Sequence, residues 1–292
     1  YSISSNYDNV VAIDADGGCI EVIDQNQLEK RAHGRFDRLY SKSLDIRSIG
    51  GSDYLLVNGI DSLCTNEKKV GRKKKKKWSC LAHDEQEFLF SRNLTTGVEG
   101  RCDLSSVNNT FRNNLKKTTS ISMDDGNNLF YVINGDIYSH PIERNADGIY
   151  CPTNNATNKH YPRSTGGYFN VAKMQVDPQD TTIIYATSVS SHVLQKLSVS
   201  SSSITLSSQV GVGANAASTT EVTNFWRPMA LHVSNDRVWV GNSKNSVQEI
   251  DISAGAMTWV DEMGTTVISR AEGAKRAIKA VVNDSSLTSG AY

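Results

Sequence analysis

Side chains able to do chemistry are spread through this 292-residue chain, but their spacing brings few of them together. The six histidines are His33, His83, His140, His160, His192 and His232. No Gly-x-Ser-x-Gly, His-Glu-x-x-His or phosphate-loop pattern surrounds any of them. No catalytic residue is therefore assigned, and the chain is read as a non-enzyme. Asp14-Ala-Asp16-Gly-Gly18 resembles the start of a calcium loop. Calcium takes roughly six or more oxygens, and an EF-hand loop ends on a bidentate Glu at its twelfth position. Counted from Asp14, that position is Gln25. A hairpin turn explains the same residues, and also Asp124-Asp-Gly126. No cofactor or metal is expected, with calcium at these turns as the alternative.

Two other features could bind a ligand. Residues 68–77 read KKVGRKKKKK. Lys68, Lys69, Arg72, Lys73, Lys74, Lys75, Lys76 and Lys77 could attract a polyanion such as an acidic polysaccharide, or simply form a solvated insertion at 66–77. No aromatic platform accompanies the run, so nucleic acid is not an expected partner. Trp226, in Asn224-Phe-Trp-Arg-Pro228, could stack on a sugar or form part of an ordinary connection. Trp239 reads as core, and Trp259 as packing between neighbouring units.

The compartment follows from cysteines and sequons. Cys64 and Cys80 flank the basic run, and a bridge between them would pin it. Cys102 and Cys151 could form a second bridge, leaving Cys19 over, although spacing does not fix connectivity. N-glycosylation sequons occur at Asn93, Asn108, Asn155 and Asn283. Together these point to a secreted, extracellular glycoprotein carrying N-linked glycans. The chain opens at Tyr1 without Met, which reads as a processed product.

Composition narrows the class. Mean hydropathy is −0.41, and no apolar run is long enough to form a membrane-spanning helix. Lys+Arg and Asp+Glu number 31 each. Setting aside the eight basic residues of 68–77 leaves 23 basic against 31 acidic, a net charge of −8 on the rest.

The elements that must position these residues are short strands. One unit is Met229–Asp236, Arg237–Gly241, Ser246–Ile252 and Met257–Val260. A second is Lys173–Asp180, Thr182–Ala186, His192–Leu197 and Ile204–Leu206, with a Ser-rich hairpin tip within Ser198–Ser208. A third is Ser120–Gly126, Asn128–Ile133 and Asp136–Ser139, and a fourth is Ser2–Asp8, Val10–Ile13 and Cys19–Ile23. A weaker copy runs from Leu44 through Tyr54–Val57 to Ser62–Cys64, with Trp78–Cys80 as its outer strand. Glu87–Phe90 to about Leu104 reads as a degraded copy. Ala277–Asp284 repeats the first strand, in competition with a helix over Ser269–Val282. In this alignment His140 and His192 fall on third strands, His232 on a first strand and the others in connections.

Period-2 alternation broken by turn residues means antiparallel strands, and four-stranded units repeated at this spacing mean propeller blades. The pattern resembles the NHL and YVTN class of β-propellers, in which an inner strand ends in Asp or Asn before an apolar second strand. That resemblance implies an all-β fold: one β-propeller domain over 1–292, with about six blades of four antiparallel strands and seven as the alternative. It implies no activity. The expectation is a structural or interaction subunit of an extracellular assembly, a filament or surface coat. Its partners would be copies of itself, extracellular proteins or polysaccharides. A carbohydrate- or ligand-binding propeller is the alternative, and a propeller hydrolase or lyase comes third.

Overall fold

Alternating polar and apolar residues fold the chain into antiparallel meanders, each laid beside the last in a computed structural model of the protein. The structure describes residues 2–5, 10–13, 20–22, 38–70, 77–154, 156–211, 225–234, 236–243 and 246–263. A three-stranded sheet comes first: β1 (Ser2–Ser5), β2 (Val10–Ile13) and β3 (Ile20–Val22). The first four-stranded blade is β4 (Arg38–Ile49), β5 (Ser52–Val70), β6 (Lys77–Asn93) and β7 (Glu99–Arg101). A connection carrying helix α1 (Asn109–Leu115) leads to β8 (Ser120–Met123), β9 (Asn128–Ile133), β10 (Asp136–Arg144) and β11 (Tyr150–Pro152). Strand β12 (Lys159–Tyr161) also pairs with β10, and one helical turn, α2 (Arg163–Gly166), follows.

The third blade is β13 (Lys173–Val176), β14 (Ile183–Ser188), β15 (Val193–Val199) and β16 (Ile204–Val210). The fourth is β17 (Pro228–Val233), β18 (Arg237–Asn242), β19 (Val247–Asp251) and β20 (Thr258–Met263). Apart from the two short helices, the described residues form an all-β, propeller-like arrangement of four blades preceded by the three-stranded sheet β1–β3.

The second strand of each blade is apolar because both of its faces are buried. Tyr54 and Leu56 face one core, with Leu89, Phe111, Ile121 and Tyr131, between the first and second blades. Leu55 and Val57 face the other way, with Leu44, Ile46 and Phe90. Phe130 and Val132 join Met174, Ile184 and Ala186 in the next core, and Tyr185 joins Phe225, Val238 and Val240 in the one after. Adjacent residues of one strand thus serve successive cores, and each fully buried large side chain contributes about 1.5–3 kcal/mol.

The first strands run parallel to one another. Ser43, Asp45 and Arg47 on β4 bond to residues 121, 122–123 and 125, and Ser120 and Ser122 on β8 bond to residues 174 and 176. Equal steps in the same direction are the arrangement of a propeller's inner strands.

Three expectations change. The weaker copy at 44–80 and the degraded copy at 87–104 are one blade. Ser62–Cys64 continues β5 instead of forming a third strand, and Glu87–Phe90 lies in β6. Gly50 and Gly51, at φ 59° and 78°, close the β4–β5 turn without side-chain strain, so β5 can run on for 19 residues. The insertion expected at 66–77 is strand up to Val70 and again from Lys77. Lys68, Lys69 and Lys77 are therefore ladder residues, while Arg72, Lys73, Lys74, Lys75 and Lys76 lie outside the described residues. Finally, α1 was not expected. Asn108 caps it by accepting from Thr110 N–H at 2.7 Å, and Phe111 and Leu115, one turn apart, are its buried face. Ala277–Asp284, the competing helix at 269–282, Asp14–Gly18 and Cys19 lie outside the described residues.

Candidate functional site

Meander topology sorts the connections onto two rims. The start of each first strand and the turn between second and third strands share one rim; the other two turns of each blade share the opposite rim. The first rim carries the long features: α1, α2, the approach to β17 and the β5–β6 turn. The second carries tight turns.

On the first rim, β5 and β6 outrun their neighbours. β4 pairs with β5 only as far as Ser62, and β7 pairs with β6 only at Phe90–Arg92. Beyond that, 63–70 and 77–84 pair only with each other among the described residues, as a two-stranded ribbon of about 25 Å. Such a ribbon is marginal in water by itself. Here the Cys64–Cys80 disulfide ties its strands. The base leans on α1: Glu87 accepts from Arg112 Nε at 2.8 Å and lies 3.3 Å from Lys116 Nζ, which also donates to Glu85 O. Leu81 is 52% exposed on the ribbon. The second disulfide, Cys102–Cys151, joins the stretch after β7 to β11 in the next blade.

Trp226 lies on the same rim, before β17. It is 41% exposed, and its ring centroid is 5.2 Å from that of His192. Ser243 N–H and Oγ both donate to Trp226 O at 3.1 Å, and Arg227 N–H donates to His192 Nδ1 at 3.0 Å. His192 and Arg227 hold φ of 56° and 48°, unusual for residues with a Cβ. This bracing fixes the backbone on either side of the partly exposed indole. Trp239 is buried in β18, and Trp259 packs on the core between the third and fourth blades.

Four histidines whose side chains are described each meet a different aromatic ring. His140 stacks on Phe111, His160 on Tyr138 and His232 on Trp239, while His192 meets Trp226 at a 40° tilt. His160 also lies 3.1 Å from Asp136 Oδ2, and burial lowers His140, whose ring nitrogens reach Asn158 and Thr153 O. His83, expected in a connection, lies in β6. No group of three or more His, Cys, Asp or Glu that could hold a metal exists among the described residues. Asp124 spends its carboxylate on the N–H groups of Asn127 and Asn128 and on the Asn128 amide.

The sequons fare differently. Asn93 is 1% exposed, and its Oδ1 accepts from the N–H groups of Thr95 and Thr96, so this asparagine is spent on the β6–β7 turn. Burial removes it as a glycan acceptor in the folded chain. Asn108 is exposed at the start of α1. Asn155 and Asn283 lie outside the described residues.

Sequence reasoning missed the polar seam between inner strands. Asp45 Oδ2 accepts from Ser122 Oγ at 3.0 Å and Met123 N–H at 2.7 Å. Burial pushes this carboxyl up to about 6, against the pull of those hydrogen bonds and of Arg47. Arg47 donates to Val176 O and Asp177 O and pairs with Asp125. Gln175 exchanges hydrogen bonds with both backbone groups of Val233. The alternating polar residues of the inner strands were the available signal. Every partner named for Asp45 is structural, so its raised carboxyl faces no reacting group.

The fold defines a β-propeller-like protein. No protein-family model matches the chain, and no curated protein matches it. Among solved structures it is similar to a functionally unknown protein from Desulfotomaculum acetoxidans (12% identity, TM-score 0.42, 90% of this chain and 79% of that one). It is also similar to a candidate 6-phosphogluconolactonase from Bacteroides uniformis (10%, TM-score 0.41, 89% and 79%). A third is the β-propeller domain of Cps50 (Swd1) from Myceliophteria thermophila (14%, TM-score 0.42, 90% and 86%). No helix among the described residues is long and apolar enough to cross a membrane.

Proposed function

We propose that this chain is a non-catalytic, secreted glycoprotein propeller serving as a structural or interaction subunit of an extracellular assembly. The observation that carries the reading is the disulfide-tied ribbon, which reaches beyond its blade past the last residues that β4 and β7 pair. An exposed strand edge invites association unless it has a partner. Two disulfides suit an oxidising compartment. Asn108, Asn155 and Asn283 would carry the N-linked glycans. The whole of 1–292 would form one domain of about six blades, with seven as the alternative and β1–β3 as the core of one.

The test is the native protein's mass before and after enzymatic N-deglycosylation, with its size under non-denaturing conditions. A mass loss and a large particle are expected; an unchanged mass and a monomer would overturn the reading. The exposed, braced Trp226 favours a second reading, a carbohydrate-binding propeller. It requires quenching of tryptophan fluorescence by an acidic or neutral glycan that Trp226→Ala abolishes.

A further inference from the structure

We propose that Lys42 and Lys173 hold a tetrahedral oxyanion, the phosphate or sulfate group of a ligand, over the approach to β8. This site is separate from the basic run at 68–77 and from Trp226. The approach is the segment Lys116-Lys117-Thr118-Thr119, between α1 and β8. The blades on either side each send one lysine to it. Lys42, on β4, donates from Nζ to Lys116 O, and Lys173, at the start of β13, donates from Nζ to Thr119 O at 3.0 Å. A register shift between Ser41 and Ser43 leaves Lys42 as the extra residue of a bulge, a device that re-aims a side chain. The two accepting residues are three positions apart, so their Cα atoms lie within about 11 Å of each other.

An ammonium group has three N–H donors, and each of these spends one on a carbonyl. Neither forms an ion pair among the described residues. Both lysines are half-buried, and burial holds both below the usual lysine range. Glu85 pulls Lys42 back up, and no acid does so for Lys173. A desolvated cation without a counter-ion is costly, and a bound anion offsets that cost. The other charges at the segment leave it positive. Arg112 and Lys116 pair with Glu87, and Lys117 is exposed. With Glu85 included, five cations (Lys42, Arg112, Lys116, Lys117 and Lys173) stand against two carboxylates. The carbonyl end of α1 would repel an anion, and Lys42 covers one of its carbonyls. Exposed Thr119 adds a hydroxyl donor. Ammonium groups act on phosphate as compact point charges, so a small dianion suits the pair.

The experiment is acetylation of lysines in the full chain by acetic anhydride, read by mass spectrometry, in chloride, inorganic phosphate or inorganic sulfate at equal ionic strength. Lys159 and Lys196 are internal controls, since each also donates to a single backbone carbonyl, of Ser201 and Gly255. With the anion at about ten times its dissociation constant, labelling of Lys42 and Lys173 should slow roughly tenfold while the controls keep their rates. Phosphate and sulfate are run separately, and the stronger protector names the group that the ligand carries. In a second measurement the protecting anion should raise the melting temperature of the unaltered chain, and Lys42→Gln with Lys173→Gln should abolish that rise. The labelling uses the unaltered chain, so it stands whether or not the double variant folds. Rates at Lys42 and Lys173 that neither anion changes, or that fall no further than those of Lys159 and Lys196, would overturn the site.

Discussion

Ser122 Oγ lies 3.0 Å from Asp45 Oδ2, and the two residues belong to different blades. The same Ser122 hydroxyl oxygen accepts from Val176 N–H at 3.0 Å, so one serine joins three inner strands. This carboxylate–hydroxyl–amide relay is buried throughout. Its energetic character follows from the position of Asp45 against an unfolded carboxyl near ~3.9. The folded state holds the proton more tightly than the unfolded state does. Between roughly pH 4 and 6 this group therefore makes the protein less stable as pH rises, with the whole loss in place above the folded value.

Asp45→Asn should remove that term. The loss between pH 4 and 7.5 assigned to Asp45 is roughly 3 kcal/mol, from about two pK units at about 1.4 kcal/mol each. Urea unfolding at both pH values, for both chains, measures it. The difference in stability between the unaltered chain and Asp45→Asn should move in favour of the variant as pH rises. A pH-independent difference would mean that the carboxyl titrates normally.

The disulfides should separate into local and global roles. Cys102 and Cys151 lie 49 residues apart and join two blades, so Cys102→Ser with Cys151→Ser should cost roughly 4 kcal/mol. Cys64 and Cys80 lie 16 apart within the ribbon. Cys64→Ser with Cys80→Ser should leave the melting temperature almost unmoved and speed trypsin cleavage in the basic run. Limited proteolysis and calorimetry read the two effects separately, and equal shifts in melting temperature for both pairs would contradict the division.

Gly211 should tolerate no side chain. It sits at φ +106°, and a Cβ there would lie 2.6 Å from His192 O and 2.7 Å from Phe225 Cδ2. Gly211→Ala should cost roughly 1–3 kcal/mol from the backbone conformation alone, with the collision added. Because both obstacles adjoin Trp226, tryptophan emission should shift as well. An unchanged spectrum and stability would place this loop elsewhere.

The sequons make a mass prediction. Asn108→Gln in the secreted protein should remove one glycan, whereas Asn93→Gln should leave the glycan mass unchanged. The second variant should instead lose about 0.5–1.5 kcal/mol for each turn hydrogen bond it gives up. A glycan found on Asn93 in the folded protein would require the β6–β7 turn to be rebuilt.

Legibility followed the strength of the local pattern. The units at 120–139, 173–206 and 229–260 were readable because each has an apolar second strand between Asp- or Asn-containing turns. The first blade misled because Ser62–Cys64 resumes the alternation of a new strand while the backbone continues the old one. Sequence periodicity registers which residues alternate, and it does not register whether a turn intervenes. Helix α1 was hidden by its Asn-rich composition, although Phe111 and Leu115 kept the spacing of one helical face. The seam was hidden for another reason. Ser43, Asp45, Ser122 and Gln175 look like solvent-facing positions, and only the neighbouring strand reveals what they bind.

The parallel first strands have one more consequence. A backbone ladder protects amides in runs, whereas a side chain that reaches a neighbour protects one amide at a time. Ile121, Met123, Met174, Val176 and Val233 each donate their N–H to a side chain of the preceding blade. Their hydrogen-exchange rates therefore report the parting of whole blades as intact plates, seam by seam, while the amides of β9, β14 and β18 report the fraying of the plates themselves.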